Sequence, residues 1–376
     1  MKKVRVGIVG LGFIGPHHME AIRRLGFAEV TAIAQSSEKS AREKAEHHFI
    51  GKSYGDWREM VADPDIDVID VTTPTHLHAP IALAAIEAGK HIIVDKPMAL
   101  STDEARQMHE AAKAAGVVNA VTFSIRYNVM LQQLRAMITR GDIGKVNYIQ
   151  GHYFQEWLLK ESDFNWRILP EVAGNLAMVA DAGAHWYDMA QHVTGHRIVR
   201  VLADLSRFIN TRQRPTANGR TEPYNVEVPD LGMVMFEFDN GARGLFSTGA
   251  VMAGHKNDLT MEVIGSEASL RWQQERPDEL WIGRRDEPTQ VLLKDPPLLD
   301  PSVQPYAKLP GGHSETWTDA FRNLMKNILG FIHEGRDAAE ADGSEFATFE
   351  TGLGVARIID AIQESAAKGG RWTSVK

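Results

Sequence analysis

Val4-Arg5-Val6-Gly7-Ile8-Val9-Gly10-Leu11-Gly12-Phe13-Ile14-Gly15 decides the reading of the first third of the chain. Val4–Val9 is a short apolar run of β-type residues, and a helix-like stretch, His17–Leu25, follows the glycines. Between them stands G-x-G-x-x-G, in the strand–turn–helix context that this motif needs. Each glycine has a physical task. The first permits the tight turn, the second lets the backbone approach a pyrophosphate, and the third lets helix and strand pack closely. The helix N-terminus then offers free N–H groups and the positive end of its dipole. Gly10, Gly12, Phe13, Ile14 and Gly15 are therefore expected to hold a dinucleotide.

Outward from this motif the alternation continues. Val30–Ala34, Val68–Val71, His91–Val94 and Val117–Phe123 are apolar runs, separated by helix-like stretches at Glu38–His48, Pro80–Ala88 and Thr102–Ala115. Strands without polar alternation, each followed by a helix, indicate a parallel sheet covered on both faces. From Lys145 the pattern changes. Met233–Phe238 and Gly244–Thr248 flank Asp239-Asn240-Gly241, a hairpin signal, and Leu259–Ile264, Ser269–Gln273 and Leu280–Gly283 continue an antiparallel series. The expected fold class is α/β plus α+β: a Rossmann domain over residues 1–123, then a larger domain over 124–376 with an open, mostly antiparallel sheet. Two stretches read as excursions, the turn-rich Asn210–Asn225 and the proline-rich Asp295–Pro310. A late helix carries Trp317, Phe321, Leu324, Ile328 and Phe331 as an apolar stripe.

Composition narrows the functions. The 376 residues have room for two or three domains at about 150 each. With 41 basic and 49 acidic residues the formal charge is −8, without the basic footprint that nucleic-acid binding requires. No apolar run approaches the roughly 18 residues of a membrane span. Arg5 and the glycines interrupt the apolar opening and no small-residue cleavage site follows, so it reads as a folded strand rather than a leader. There is no cysteine, which excludes disulfides, thiolate nucleophiles and Cys-ligated metals. That fits a cytoplasmic protein.

An acid about 20 residues beyond the last glycine would hold the 2′-hydroxyl of NAD. That position is Gln35, followed by Ser36 and Ser37. Gln35 can hydrogen-bond ribose hydroxyls, whereas Ser36, Ser37 and Lys39 suit a phosphate. The expectation is NAD, with NADP left open.

Further motifs stand in one order: Thr73-Pro74 with His78, Gly89-Lys90-His91 leading to Asp95-Lys96-Pro97, and Asp181-Ala182-Gly183-Ala184-His185. Together with Gly10–Gly15, this set resembles the glucose–fructose oxidoreductase / inositol dehydrogenase / MocA family, from about Val4 to Thr351. The resemblance implies NAD(P)-dependent oxidation or reduction of sugars, polyols or related cyclic hydroxyls. It implies that Thr73, Pro74, His78 and Lys96 lie at the cofactor and that Lys96, Asp181 and His185 are catalytic. It also implies a homo-oligomer, dimer or tetramer, built through the second domain's sheet. Asp95 replaces the family's glutamate, one methylene shorter. Arg126 matches a basic residue just after the first domain, with Asn128 in place of the usual proline. Phe154–Arg167 resembles the subgroup acting on glycosides and anhydrosugars.

The residues themselves suit this chemistry. Oxidation of an alcohol needs a base for the hydroxyl proton and donors for the developing carbonyl oxygen. His185 has the fitting reference pKa. Asp181, four residues earlier, would share its helix face. Lys96 follows a parallel strand, at the sheet edge where ligands of such folds bind. Asp188 reads either as an orienting partner of His185 or as a solvated residue. Eight aromatics fall between Tyr148 and Tyr187, and Trp157 and Trp166 flank a polar stretch that suits a sugar's apolar faces and hydroxyl rim. Arg126, Trp157, Asn165, Trp166, Arg167 and His313 are the substrate-contact candidates. No metal is expected. An NAD-assisted glycosidase and a non-catalytic NAD-responsive regulator are the competing readings.

Overall fold

Buried strands of four to seven residues need helices on both faces, and the first part of the chain supplies them in turn. The computed structural model describes residues 2–376. In it the contacts divide the chain into two units: the chain up to Ile125 together with Trp317–Ala356, and Arg126–Thr316 together with Arg357–Lys376.

In the first unit six strands run in parallel: β1 (Val4–Val9), β2 (Ala28–Ala34), β3 (Lys52–Tyr54), β4 (Val68–Val71), β5 (His91–Val94) and β6 (Asn119–Val121). Their order is β3-β2-β1-β4-β5-β6. The order reverses beside β1, so the loops after β1 and β4 flank the switch point where ligands of such sheets bind. Helices α1 (Gly15–Arg23), α2 (Glu38–His48), α3 (Trp57–Ala62), α4 (His78–Glu87) and α5 (Thr102–Ala115) connect the strands. The short strand β3 and helix α3 are not visible in the apolar pattern, because β3 is polar and only half-buried at the sheet edge.

His18 on α1 and Asp70 on β4 are both fully buried, with Nδ1 of the imidazole 3.0 and 3.1 Å from the two carboxylate oxygens. Burial alone would lower the His18 pKa, and Asp70 outweighs it and raises it. The late apolar stripe also packs here. Trp317 stacks edge-on against His17, and Phe321 lies 5.2 Å from His18. The helix that carries them therefore clusters with the first unit, so one boundary at 123/124 does not describe the contacts. The chain returns because the stripe covers α1.

The second unit is built on nine strands in the order β16-β15-β14-β13-β7-β12-β11-β8-β17. These are β7 (Val146–Phe154), β8 (Ile198–Ser206), β11 (Leu231–Phe238), β12 (Arg243–Gly249), β13 (Asp258–Gly265), β14 (Ala268–Gln273), β15 (Glu279–Arg284), β16 (Gln290–Leu293) and β17 (Thr373–Ser374). All neighbours are antiparallel except β7 and β12. Helices α6 (Val129–Arg140), α7 (Pro170–Ala173), α8 (Met178–Asp181) and α9 (Gly183–Thr194) belong to this unit. Helix α10 (Trp317–His333) carries the late stripe, and the division between units falls inside α11 (Phe349–Ala367). Among the described residues no helix is long and apolar enough to cross a membrane.

Both excursions are tied down by buried charge. Asn210–Asn225 forms the hairpin β9 (Thr211–Pro215) and β10 (Thr221–Asn225). From it, buried Arg212 donates to the carbonyls of Lys160 (2.8 Å) and Asp163 (3.2 Å) and pairs with Asp230 at 3.0 Å. The proline-rich loop is closed at its base by Lys294, which reaches Glu315 at 2.9 Å and the carbonyls of Leu309 and His313. Sequence periodicity carries no sign of either anchor.

Gly151 lets β7 pass close to its neighbours. A Cβ there would lie 2.1 Å from the Thr260 carbonyl oxygen and 2.5 Å from Nε1 of buried Trp186. Gly151→Ala should therefore destabilise the protein by about 1–3 kcal/mol or more, read as a lower midpoint in urea denaturation. An unchanged midpoint would mean that β7 shifts without cost.

Candidate active site

The candidate side chains fall into two sets, one in each unit. In the first unit, β1 delivers Gly10 with φ at +91°, a conformation that favours glycine. A Cβ on Gly15 would sit 2.4 Å from the Gly10 carbonyl oxygen, whereas one on Gly12 would meet no atom within 4 Å. The loop is thus closed on its helix side and open where Gly12 faces out. Ile14 enters α1 without a side-chain cap; Pro16 carries no N–H and His17 and His18 donate to the Ile14 carbonyl at 3.0 and 3.2 Å, so in the first turn it is Gly15, with the glycine loop before it, that offers its N–H to an anion. These are the features that a dinucleotide pyrophosphate requires. Phe13 is exposed, at 75% of its surface. Gln35 follows β2 and donates from its amide to the Ala34 carbonyl at 2.8 Å, with Ser36 exposed beside it.

Thr73 and Pro74 follow β4 and are half-buried, as are Asp95 and Lys96 after β5. The Thr122 hydroxyl donates to Asp95 at 2.7 Å, which ties the acid to the sheet edge. His78 is buried beneath these loops. It is 1% exposed, and its ring nitrogens lie 2.9 Å from the carbonyl oxygens of Thr73 and Pro97. Its ring therefore stands between the Thr73–Pro74 loop and the Lys96–Pro97 loop, and in the neutral form its single N–H donates to one of the two carbonyls. Burial lowers its pKa, against the opposing pull of Asp95 and the carbonyls.

In the second unit, Asp181 and His185 do not share one helix. Asp181 ends α8 and His185 lies in the first turn of α9. The joint at Ala182 keeps helical dihedrals (φ −77°, ψ −39°), which preserves the close spacing expected of positions four apart. Ala177, just before α8, holds φ at +43°, a strained conformation for alanine. The Arg167 Nε donates to Asp181 at 3.1 Å, and its guanidinium carbon stands 4.4 Å from the centre of the Trp166 ring. Asn165 caps this turn by accepting from the Arg167 backbone N–H. The Tyr153 ring lies 6.4 Å from His185, and burial raises its phenol pKa. Asp181, His185, Arg167, Trp166, Asn165 and Tyr153 therefore form one half-buried, polar and aromatic group.

Trp157 joins a second chain of contacts. Its indole N–H donates to Gln155, whose amide donates to Asn257, which also accepts from Tyr153 at 2.7 Å. Tyr153, Gln155 and Asn257 were not among the sequence candidates. Tyr153 shares a strand face with Ile149 and Gly151, and that period-two pattern is the signal that could have found it. His313 is exposed, on the loop closed by Lys294. Among the described residues no three His, Asp or Glu side chains are grouped to hold a metal ion.

The structure reassigns Arg126. Its guanidinium forms a two-pronged pair with Asp188 (Nε–Oδ2 2.6 Å), both residues being buried. Asp188 therefore neither orients His185 nor faces solvent, and Arg126 is held inside the unit. Burial pushes the Asp188 carboxyl upward and the guanidinium opposes it. Asp188→Ala would strand the buried cation, so a loss of about 3–5 kcal/mol is expected, measured by chemical denaturation. A loss within the range of an exposed ion pair would restore Arg126 as a surface group.

Known proteins resemble this chain along its whole length. Residues 4–123 match the family model of the GFO/IDH/MocA oxidoreductases with NAD-binding Rossmann fold, and residues 131–271 match the GFO/IDH/MocA C-terminal domain. Levoglucosan dehydrogenase of Pseudarthrobacter phenanthrenivorans is 33% identical over 100% of this chain and 99% of its own length. Myo-inositol 2-dehydrogenase of Thermotoga maritima is 26% identical over 71% of this chain and 74% of its own. The solved structure of a levoglucosan dehydrogenase complex with NADH and levoglucosan superposes with a TM-score of 0.90 at 31% identity, covering 100% of both chains. The glycine loop, the strand order and the Asp181–His185 segment thus stand in a chain that belongs to the GFO/IDH/MocA family of NAD-binding oxidoreductases.

Proposed function

We propose that the protein oxidises a ring hydroxyl of a compact sugar or polyol, reversibly and with NAD, and that anhydrosugars of the levoglucosan type are its first candidate substrates. The observation that carries this reading is the group around Asp181 and His185. It combines an ionisable imidazole, a carboxylate steadied by Arg167, and the ring of Trp166. Aromatic faces pack on sugar C–H surfaces while the polar groups meet hydroxyls.

The nicotinamide, when bound, accepts or returns the hydride. His185 takes the hydroxyl proton in the oxidation direction and gives it back in reduction. Asp181, held by Arg167, fixes a substrate hydroxyl. Lys96 steadies the reacting oxygen as its charge develops. Gly10–Gly15 grip the pyrophosphate through backbone N–H groups, and Thr73 and Pro74 line the nicotinamide end. Trp157, Asn165 and Trp166 shape the sugar side, and His313 reaches it from its loop. Proton handling by side chains is superfluous in a mere NAD sensor, which favours an enzyme over a regulator.

The direct test is a panel of anhydrosugars, free sugars, polyols and glycosides with NAD, followed by NADH absorbance. Glycoside cleavage without net NADH would overturn the dehydrogenase reading. His185→Ala should lower kcat by about 10²–10⁴-fold while NADH still quenches protein fluorescence with parental affinity. Unchanged turnover would remove His185 from proton transfer.

The second unit's sheet supports a homo-oligomer. Met233, Met235 and Leu245 are 40%, 47% and 39% exposed, and Met235 pairs directly with Leu245 across β11 and β12. Apolar side chains grouped at the middle of a sheet face suit burial against a second copy. Met235→Asp should shift the mass seen by size-exclusion chromatography with light scattering toward the monomer; an unchanged mass would place the interface elsewhere. The cysteine-free composition fits residence in the reducing cytoplasm.

A further inference from the structure

We propose that the second unit carries a binding site for inorganic phosphate or a small phosphate monoester, in a basic cavity formed by α6, α9 and the loops after them. The cavity is separate from the group around Asp181 and His185. His192, which lines it, stands in the last turn of α9, about 10 Å along the helix from His185.

The cavity measures about 490 Å³, within the size range of small-molecule sites. On α6, Arg135 and Thr139 stand one turn apart on the same helix face. The turn after α6 uses Gly141 and Gly144, with φ at +90° and +68°, and delivers Lys145 to the rim. There the Lys145 N–H donates to the Ser266 hydroxyl at 3.1 Å, and its carbonyl accepts from the Ser266 N–H at 3.0 Å. The backbone beneath the ammonium is thus fixed. The end of α9 and the residues after it add His192 and His196. Asn240, in the hairpin between β11 and β12, also lines the cavity and donates to the Val146 carbonyl at 3.3 Å.

Charge names the ligand class. Among the described residues, the ionisable side chains that line the cavity are Arg135, Lys145, His192 and His196, and no carboxylate joins them. The carboxylates next to it are engaged elsewhere. Asp239 lies 3.2 Å from Nδ1 of His196 and 3.5 Å from Nε of Arg197, and Glu267 accepts from the Ser266 hydroxyl at 3.4 Å. His192 shows the unmet need. Its Nε2 is shut off from solvent and has no hydrogen-bond partner. Burial holds its pKa well below the ordinary value, and the cations of Arg126 and Arg135 push it the same way. An anion in the cavity would oppose that repulsion. Attraction of cations to a helix C-terminus accounts for His192 in the last turn of α9, but not for Lys145, which stands on the loop. A guanidinium fork, an ammonium and the Thr139 hydroxyl together suit the oxygens of a phosphate dianion, and Ile138 offers an apolar wall to the carbon part of an ester.

The test is isothermal titration calorimetry of the purified protein saturated with NADH, so that the glycine loop is filled. The titrants are inorganic phosphate and ribose 5-phosphate. Each should bind at one site per chain with a Kd of about 1 mM or below, and each should displace the other. Equal affinities name phosphate itself as the ligand, and tighter binding of ribose 5-phosphate names the ester. Lys145→Met should weaken both by about tenfold, the scale of one charge-assisted hydrogen bond, and Lys145→Glu by about 100-fold. Lys145→Arg should keep the parental affinities. Lys145 is exposed, so all three variants should keep the parental midpoint in urea. Absence of heat with both titrants, or affinities unmoved by Lys145→Glu, overturns the proposal. Phosphate binding that disappears once NADH is bound belongs to the glycine loop and overturns it too. If NADH itself does not bind, the dinucleotide reading fails, and Lys145→Glu still decides the cavity in the protein without cofactor.

Discussion

The approach of Gly15 to the Gly10 carbonyl is the contact on which the first unit turns. A Cβ at Gly15 would come within 2.4 Å of that oxygen and 2.9 Å of the Thr72 hydroxyl, so only hydrogen fits. This closeness lets α1 start directly after β1, with the positive end of its dipole at the glycine loop. It also brings the glycine loop against Thr72, at the end of β4, whose hydroxyl donates to the Val9 and Gly10 carbonyls. The two loops at the switch point are therefore joined before any ligand arrives. Beneath them, the buried His18–Asp70 pair links α1 to β4, and the Trp317–Phe321 stripe covers the outside of α1.

The second unit uses buried ion pairs to position irregular chain. Arg126–Asp188 joins the entry of the unit to α9, one turn beyond His185. Arg212–Asp230 fixes the Lys160–Asp163 segment that leads into Asn165–Arg167, and Lys294–Glu315 closes the proline-rich loop. Such pairs contribute little net stability when compared with apolar residues, but breaking one leaves an uncompensated charge. They therefore specify geometry. This explains why a loop-rich segment holds Arg167 against Asp181 with Trp166 stacked beneath the guanidinium.

The parallel strands of the first unit, the glycine loop and the Asn240-Gly241 hairpin were legible because each depends on neighbours in sequence. Apolar runs have no polar alternation, a turn needs glycine, and a helix needs a stripe. The Asp181–His185 spacing was legible as proximity, although the helix breaks between them at Ala182. The placement of Arg126 was not. Its sequence neighbourhood suggests a basic residue near substrate, but its partner lies 62 positions away. His78 shows the same limit: its motif position suggests the cofactor, while its nitrogens are engaged by two carbonyls that come together only in the fold.

By itself, the sequence determined the class of chemistry. Local patterns establish a dinucleotide loop, an imidazole and a carboxylate four apart, and a cysteine-free composition, because backbone conformation and side-chain chemistry are local properties. Only the tertiary structure decided which polar groups remain available for ligands. A buried polar group must find a partner wherever the fold supplies one, and those partners are distant in sequence. That is why Arg126 and His78 turned inward and why the stripe beginning at Trp317 joined the first unit.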